Sequence, residues 1–508
     1  MRKRPWGWIS LGALTGALAL TGCQQPDGAS DSSAAPAVSV SSAAPPIEAD
    51  QPAANAAEPT GEAPAVRAPD LVATLIAKHT SETGSTDVGG GLQKLQSAVT
   101  TSEVTIQSAG DASMAETASA VMTASDGTNQ TVVTSNIIGS GGNELGRVDF
   151  GCFRGTTTQC QYGVNYAPAG SDPSMVTGAD GNMYEQRLTA SGGMWIRNNN
   201  PCPSGCGAGG FSWAACTANF SIDWSMLSFA DSSGHVWGVH NDFGDSIFDA
   251  VAVNKLTWCS SISWFSRAVQ CGTTGLSKNK RNPHAVLGGG NLLHVVYANI
   301  TDQVVEHTTF NTSTNTWSCT NNVIGAIVVP STPFCSGSGS THVMPGLGNS
   351  NLEYDAAPRI ARDPSSGIMV ATWDSYDVAI AKVRGRAYTS SDGGTTWVNT
   401  LVTAEETGKS SVAFGTAATF EIGNTYKDAS THQGAQVRWI STNDGSSWTG
   451  NFISVFRSFR PIAAAQRACF WGDYDAVTWN GAQSAFFHSW YDSNFGPNTV
   501  IRGRFFQN

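Results

Sequence analysis

The chain reads as an all-β protein: a β-propeller, seven blades of four antiparallel strands, behind a disordered N-terminal tether, with six blades as the alternative count. Three observations point there. Only 13% of the residues are charged, while Gly (55) and Trp (16) abound, a balance that favours short strands and tight turns over long helices. A unit of one polar opener, a short apolar alternation, a turn and a second strand recurs at spacings of about 50 to 75 residues. A tryptophan-bearing turn also occurs twice, 51 residues apart. A two-sheet sandwich rarely needs so many similar units.

The N-terminus carries an export address. Arg2-Lys3-Arg4 precedes an apolar run from Trp6 to Leu20. Leu20-Thr21-Gly22-Cys23 resembles a bacterial lipobox, which implies a signal peptide over 1–22 and acylation of Cys23. Gln24 stands where Asp would signal inner-membrane retention, so the resemblance implies sorting to the outer membrane of the bacterial envelope. The lipid is then the expected membrane contact. Residues 23–69 are rich in Ala, Pro and Ser and poor in large apolar side chains, and cannot offset their ordering entropy. Such a tether reaches about 35–40 Å. Within 70–109, Asp70–His79 predicts a short helix with Leu71, Val72, Leu75 and Ile76 on one face. Val104 and Ile106 predict a closing strand beside those around Phe486–Trp490 and Val500–Phe505.

The propeller spans 110–508. Its openers are Glu116, Asp172, Asp223, Asn282, Asp355 and Asp473, with a less regular unit from Ser410-Ser411, which makes seven. The two corners share one pattern. Ser390, Asp392, Gly394 and Trp397 match Ser441, Asn443, Gly445 and Trp448. A small acceptor side chain takes the backbone N–H groups ahead of it, Gly supplies a positive φ, and Trp plugs an apolar ring beneath the turn. Weaker echoes occur at Ser232–Trp237 and Thr312–Trp317.

This pattern resembles the Asp-box of the sialidase-like β-propellers, in which the box is a structural corner. Asp172-Pro173-Ser174 with Asp180-Gly181-Asn182, and Gly472-Asp473-Tyr474 with Trp490-Tyr491-Asp492, are similar to blades of secreted BNR-repeat relatives; Asn494 departs from their usual Arg. The resemblance implies an exo-sialidase-like glycoside hydrolase if the protein is an enzyme. That chemistry wants three arginines on an anionic sugar, a Tyr nucleophile with a Glu partner, and an Asp acid/base. The family's Phe/Tyr-Arg-Ile-Pro motif is missing, Phe459-Arg460-Pro461-Ile462 being scrambled and at the wrong end, and such sialidases have six blades. No catalytic residue is assigned.

Other chemistries find little support. A net charge of −11 disfavours nucleic acid as a partner. There is no Gly-x-Ser-x-Gly elbow and no His-Glu-x-x-His. Gly288-Gly289-Gly290 reads as a hairpin turn, and His235 and His240 as surface residues. With Cys23 acylated, the even number of remaining cysteines predicts five disulfides. Short separations favour Cys152–Cys160, Cys259–Cys271 and Cys319–Cys335, leaving Cys202, Cys206, Cys216 and Cys469 for two more.

In a propeller the innermost strands start near the axis, so the openers gather at one mouth. The candidate ligand site is therefore Glu116, Asp172, Asp223, Asp355, Arg359, Trp471, Asp473 and Tyr474. Carboxylates, an arginine and aromatics suit a glycan, and clustered carboxylates in an exported protein suit calcium. The functional expectation is a surface-tethered propeller that binds extracellular glycan, with hydrolysis as a further step. The alternative is a non-catalytic envelope scaffold for a protein partner.

Overall fold

The computed structural model describes residues from 104 to 507; the longer stretches outside the description are 1–103, 139–146, 199–212, 273–279, 330–342, 345–353, 459–474 and 493–499. The signal, Cys23, the tether, the helix expected at 70–79, and Trp471, Asp473 and Tyr474 thus lie outside it.

The protein is all-β. Seven antiparallel meanders follow one another among the described residues. The first runs through Ser113–Thr123, Asn129–Ile138, Arg147–Arg154 and Thr157–Asn165. The second is Gly170–Thr177, Met183–Thr189, Gly192–Asn198 and Trp213–Ala218. The third is Ile222–Ala230, His235–Asp242, Phe248–Asn254 and Ile262–Ser266. The fourth is Lys280–Leu287, Leu292–Asn299, Val304–Asn311 and Thr316–Trp317, with Asn322–Ala326 also on its third strand. The fifth is Arg359–Arg362, Met369–Asp377, Lys382–Ser390 and Val398–Val402. The sixth is Thr407–Phe414, Phe420–Lys427, Gln433–Ser441 and Thr449–Phe452. The seventh combines Ala476–Asn480, Ala485–Asp492 and Val500–Gln507 with the N-terminal strand Val104–Ser108, which pairs with Val500–Gln507. That pairing joins the two ends of the described chain in one sheet.

The period of two in each strand explains how sheets stack. In Leu292–Asn299, Leu293, Val295 and Tyr297 pack with Trp237, Val239, Ala250 and Ala252 of the third sheet. The alternate residues Val296 and Ala298 pack with Ile360, Met369, Ala371 and Trp373 of the fifth. One face of the fifth sheet is thereby spent, and Val370, Ala387 and Leu401 turn to Phe420, Ile422 and Trp439 of the sixth. Every strand of this kind is buried on both faces, as its near-continuous apolar run requires.

Polar side chains stitch the seams. Gln186 bonds His240 between the second and third sheets (3.1 Å), and Trp373 Nε1 donates to Ala326 O between the fourth and fifth (3.0 Å). Ser410 Oγ donates to Asp374 Oδ1 between the fifth and sixth (2.6 Å). Asn480 Nδ2 donates to Thr131 Oγ1 between the seventh and first (2.9 Å). His240, expected at the surface, is buried because it fills such a seam against Trp264.

Cys271, at the end of the short helix Arg267–Cys271, bonds Cys319 across the third and fourth sheets. Neither Cys259–Cys271 nor Cys319–Cys335 therefore forms. Short sequence separation was the wrong guide, because the seam brings the Cα atoms within 5.4 Å across 48 residues.

Candidate functional site

The openers turn out to mark a backbone feature. Glu116 (φ 52°), Asp172 (φ 49°) and Asn282 (φ 54°) sit in the left-handed region, and Lys409 (φ 57°) occupies the matching place in the sixth sheet. Each coincides with a register shift between the first and second strands of its sheet. Asp223 lies within the same shift in the third sheet, between Ile222 and Ser225. This is a β-bulge, where Asn and Asp tolerate positive φ better than most residues. Asp355 breaks the series. It lies in the two-stranded ribbon Val343–Met344/Tyr354–Asp355, and the fifth sheet begins only at Arg359.

Among the predicted mouth residues, Glu116 and Arg359 are buried and Asp172 is half-buried. Arg359 belongs to a belt of charge that crosses three seams. On one side it lies near His284, whose Nδ1 accepts from Ile360 N (3.2 Å) and whose pKa falls to about 3 through burial and the Arg359 charge. On the other side is Asp374, which burial raises to about 7 even though Ser410 N and Oγ donate to it. Asn424 Nδ2 donates to the same Ser410 Oγ (2.6 Å). Beyond it, Lys409 Nζ stands 3.8 Å from Asp475 Oδ1, while Asp475 Oδ2 accepts from Thr425 and Gln436. These contacts join neighbouring sheets. Lys409, Asp374 and Asp475 were missed in the sequence; Lys409 directly precedes the Ser410-Ser411 opener, and Asp475 follows Asp473 by two. Among the described residues no three His, Cys, Asp or Glu side chains converge as a metal set.

A concave site opens elsewhere, in the seam between the fourth and fifth sheets, with a volume of about 520 Å3. Its position follows from the first Asp-box corner. Ser390 Oγ bonds Asp392 Oδ1 and accepts from Gly394 N, each at 2.9 Å. Asp392 also takes the N–H groups of Thr395 (3.0 Å) and Thr396 (2.9 Å) and the Thr396 hydroxyl. These bonds, the Thr396 hydroxyl first, lower Asp392 to about 2. The corner leans on the fourth sheet: Asn322 Nδ2 donates to Gly394 O, and Trp397 meets the His307 ring edge-on at 5.7 Å. The second corner repeats the scheme through Ser441, Asn443 and Gly445, and Trp448 Nε1 donates to Thr400 Oγ1. Of the two echoes, Thr312–Trp317 lies between third and fourth strands as the true corners do, whereas Ser232–Trp237 precedes a second strand.

The cleft floor is a histidine pair. His294 Nδ1 and His307 Nε2 are 3.1 Å apart and their rings are stacked. Burial, with the Arg362 charge added, lowers His294 to about 4; burial, with His294 beside it, lowers His307 to about 3. Both are neutral at pH 7. The walls carry seven hydroxyl side chains, from Thr308, Thr309, Ser318, Thr320, Ser366, Ser391 and Thr395. The exposed Gly289, in the turn expected at 288–290, and the half-buried Arg362 complete the rim. None of these residues stands out in the sequence, because the walls come from two sheets and from common Ser, Thr and Gly.

No family model and no curated protein matches the chain. Several solved structures are similar to it at low identity. One is a protein of unknown function from Dyadobacter fermentans (11% identity, TM-score 0.42, covering 80% of this chain and 97% of that one). Another is a PL25 ulvan lyase (12%, TM-score 0.42, 79% and 95%). A third is an α-L-arabinanase of Penicillium chrysogenum complexed with arabinobiose (10%, TM-score 0.38, 80% and 99%). At these identities and TM-scores none bears on function or on blade count.

Proposed function

We propose that the protein is a lipid-anchored, closed seven-bladed propeller of the bacterial envelope that binds extracellular glycan in the cleft between its fourth and fifth blades. The seven meanders supply the blades, and the N-terminal strand in the last sheet supplies the closure. The observation that carries the ligand class is the cleft lining. Thr308, Ser366 and Thr395 direct their hydroxyl protons inward and offer lone pairs, while Thr309, Ser318, Thr320 and Ser391 can donate as well as accept, so the lining matches the mixed donors and acceptors of a polyol. The volume, about 520 Å3, has room for a mono- or disaccharide within a longer chain.

The test is a glycan array probed with the mature protein and with Ser391→Trp, which places an indole on the exposed rim of the cleft. Selective binding by the parent and its loss in the variant is the expected outcome. An array with no bound glycan would sink the reading. Assay of any bound glycan for chain cleavage then separates binding from hydrolysis.

A further inference from the structure

The cleft has an electrostatic character opposite to that of the chain. The protein is acidic overall, with a net charge of −11. Two carboxylates lie next to the cleft in sequence, and both are turned into their own loops. Asp363 accepts from Ser365 N (2.7 Å), Ser365 Oγ (2.6 Å) and Ser366 Oγ (2.8 Å). Burial opposes its ionisation, but these bonds outweigh it and hold the carboxyl below its ordinary range. Asp392 is committed to its corner through Ser390, Thr395 and Thr396. The guanidinium of Arg362 is left with no hydrogen-bond or ion-pair partner among the described residues. Its Nη2 lies 3.9 Å from where a Cβ on Gly289 would stand and 3.3 Å from one on Gly367, so two glycines keep its approach open. The neutral histidine pair beneath adds no competing charge, and the packing of His307 under the Asp-box corner holds that floor in place.

We infer that the cleft selects a sugar bearing an anionic group, carboxylate or sulfate, which Arg362 takes in a bidentate pair while the hydroxyl walls bind the ring. The inference rests on the glycan reading and narrows it. A planar guanidinium presents two parallel N–H donors that match the two oxygens of either group, and an ion pair in a half-buried cleft is screened less than one on open surface.

Three probes of equal length separate the possibilities: an oligogalacturonide, its carboxyl-reduced neutral form, and a sulfated galactan oligosaccharide. Binding is read by calorimetric titration with the parent, Arg362→Gln and Gly289→Asp. Gly289→Asp sets a carboxylate beside Arg362 in open space, so it quenches the charge without touching the walls. The parent is expected to bind at least one acidic probe about 10- to 100-fold more tightly than the neutral one. Whichever acidic probe binds identifies the group. Both variants should lose that preference, so that acidic and neutral probes bind them alike. Equal affinity for acidic and neutral probes in the parent would overturn the inference and leave the glycan reading standing. A preference that survives in both variants would also overturn it, since another cation would then hold the group. Failure of all three probes would overturn the inference together with the glycan reading for this cleft. Unchanged melting of the variants certifies that any loss is local.

Discussion

Adjacent glycines in the first Asp-box give a sharp test of why that corner cannot be rebuilt with another residue. Gly393 (φ +73°) and Gly394 (φ +86°) are both left-handed, so alanine at either position costs about 1–2 kcal/mol of backbone strain. Their surroundings differ. A Cβ on Gly393 meets nothing within 4 Å, whereas one on Gly394 would lie 2.2 Å from His307 Cε1 and 2.5 Å from Nδ1. His307 is buried and stacked on His294, so it has little room to yield, and overpacking of this kind adds about 1–3 kcal/mol. Gly393→Ala should therefore destabilise by about 1–2 kcal/mol and Gly394→Ala by about 2–5 kcal/mol. Urea unfolding followed by tryptophan fluorescence measures both, with stability read from the midpoint at constant slope. A cycle with His307→Ala isolates the contact: Gly394→Ala should cost less in that background, while Gly393→Ala should cost the same. Equal costs for the two alanines in the parent would refute the idea that the corner is pressed against the fourth sheet.

Acid should also act through buried imidazoles. His240 is lowered to about 3 by burial, so the unfolded chain, with His near 6.5, takes up the proton first. The stability this group contributes is full above about pH 6.5 and is lost as pH falls from there towards 3, at up to about 1.4 kcal/mol per pH unit. Asp374, raised to about 7, has the opposite sign: its contribution is lost as pH rises from about 4 to 7. His240→Gln should flatten the acid limb of the stability curve measured by calorimetry, and an unchanged limb would show that the imidazole is not held neutral. Cys319→Ser should cost about 4 kcal/mol by opening a crosslink over 48 residues, and non-reducing peptide mapping should recover Cys271 joined to Cys319. Cys23→Ser should move the protein from the membrane fraction to the soluble one; retention with membranes would exclude the lipid as the anchor.

Much of the architecture was legible because it depends on local chemistry. Glu116, Asp172, Asp223 and Asn282 recur where each first strand bulges, so a backbone demand left a mark in the sequence. The same demand explains where the register failed. The fifth sheet opens without a polar bulge residue, and Asp355 two positions upstream of Ala357 took its place; the sixth uses Lys409, which no search for carboxylates would find. The Asp-boxes were legible for the same reason, since Ser390, Asp392 and Gly394 bond among themselves. The cleft was not. Gly289, His294 and His307 belong to one sheet and Arg362 and Ser391 to the next, and only their stacking brings them together. The disulfide Cys271–Cys319 was hidden likewise, being a property of a seam.

The most direct measurement is a crystal structure of the protein soaked with an oligosaccharide that it binds in solution. The sugar should lie between the fourth and fifth sheets, over the His294–His307 pair, with an acidic group paired to Arg362. Sugar at the inner strand ends beside Arg359 and Asp374, with the seam cleft empty, would contradict the account.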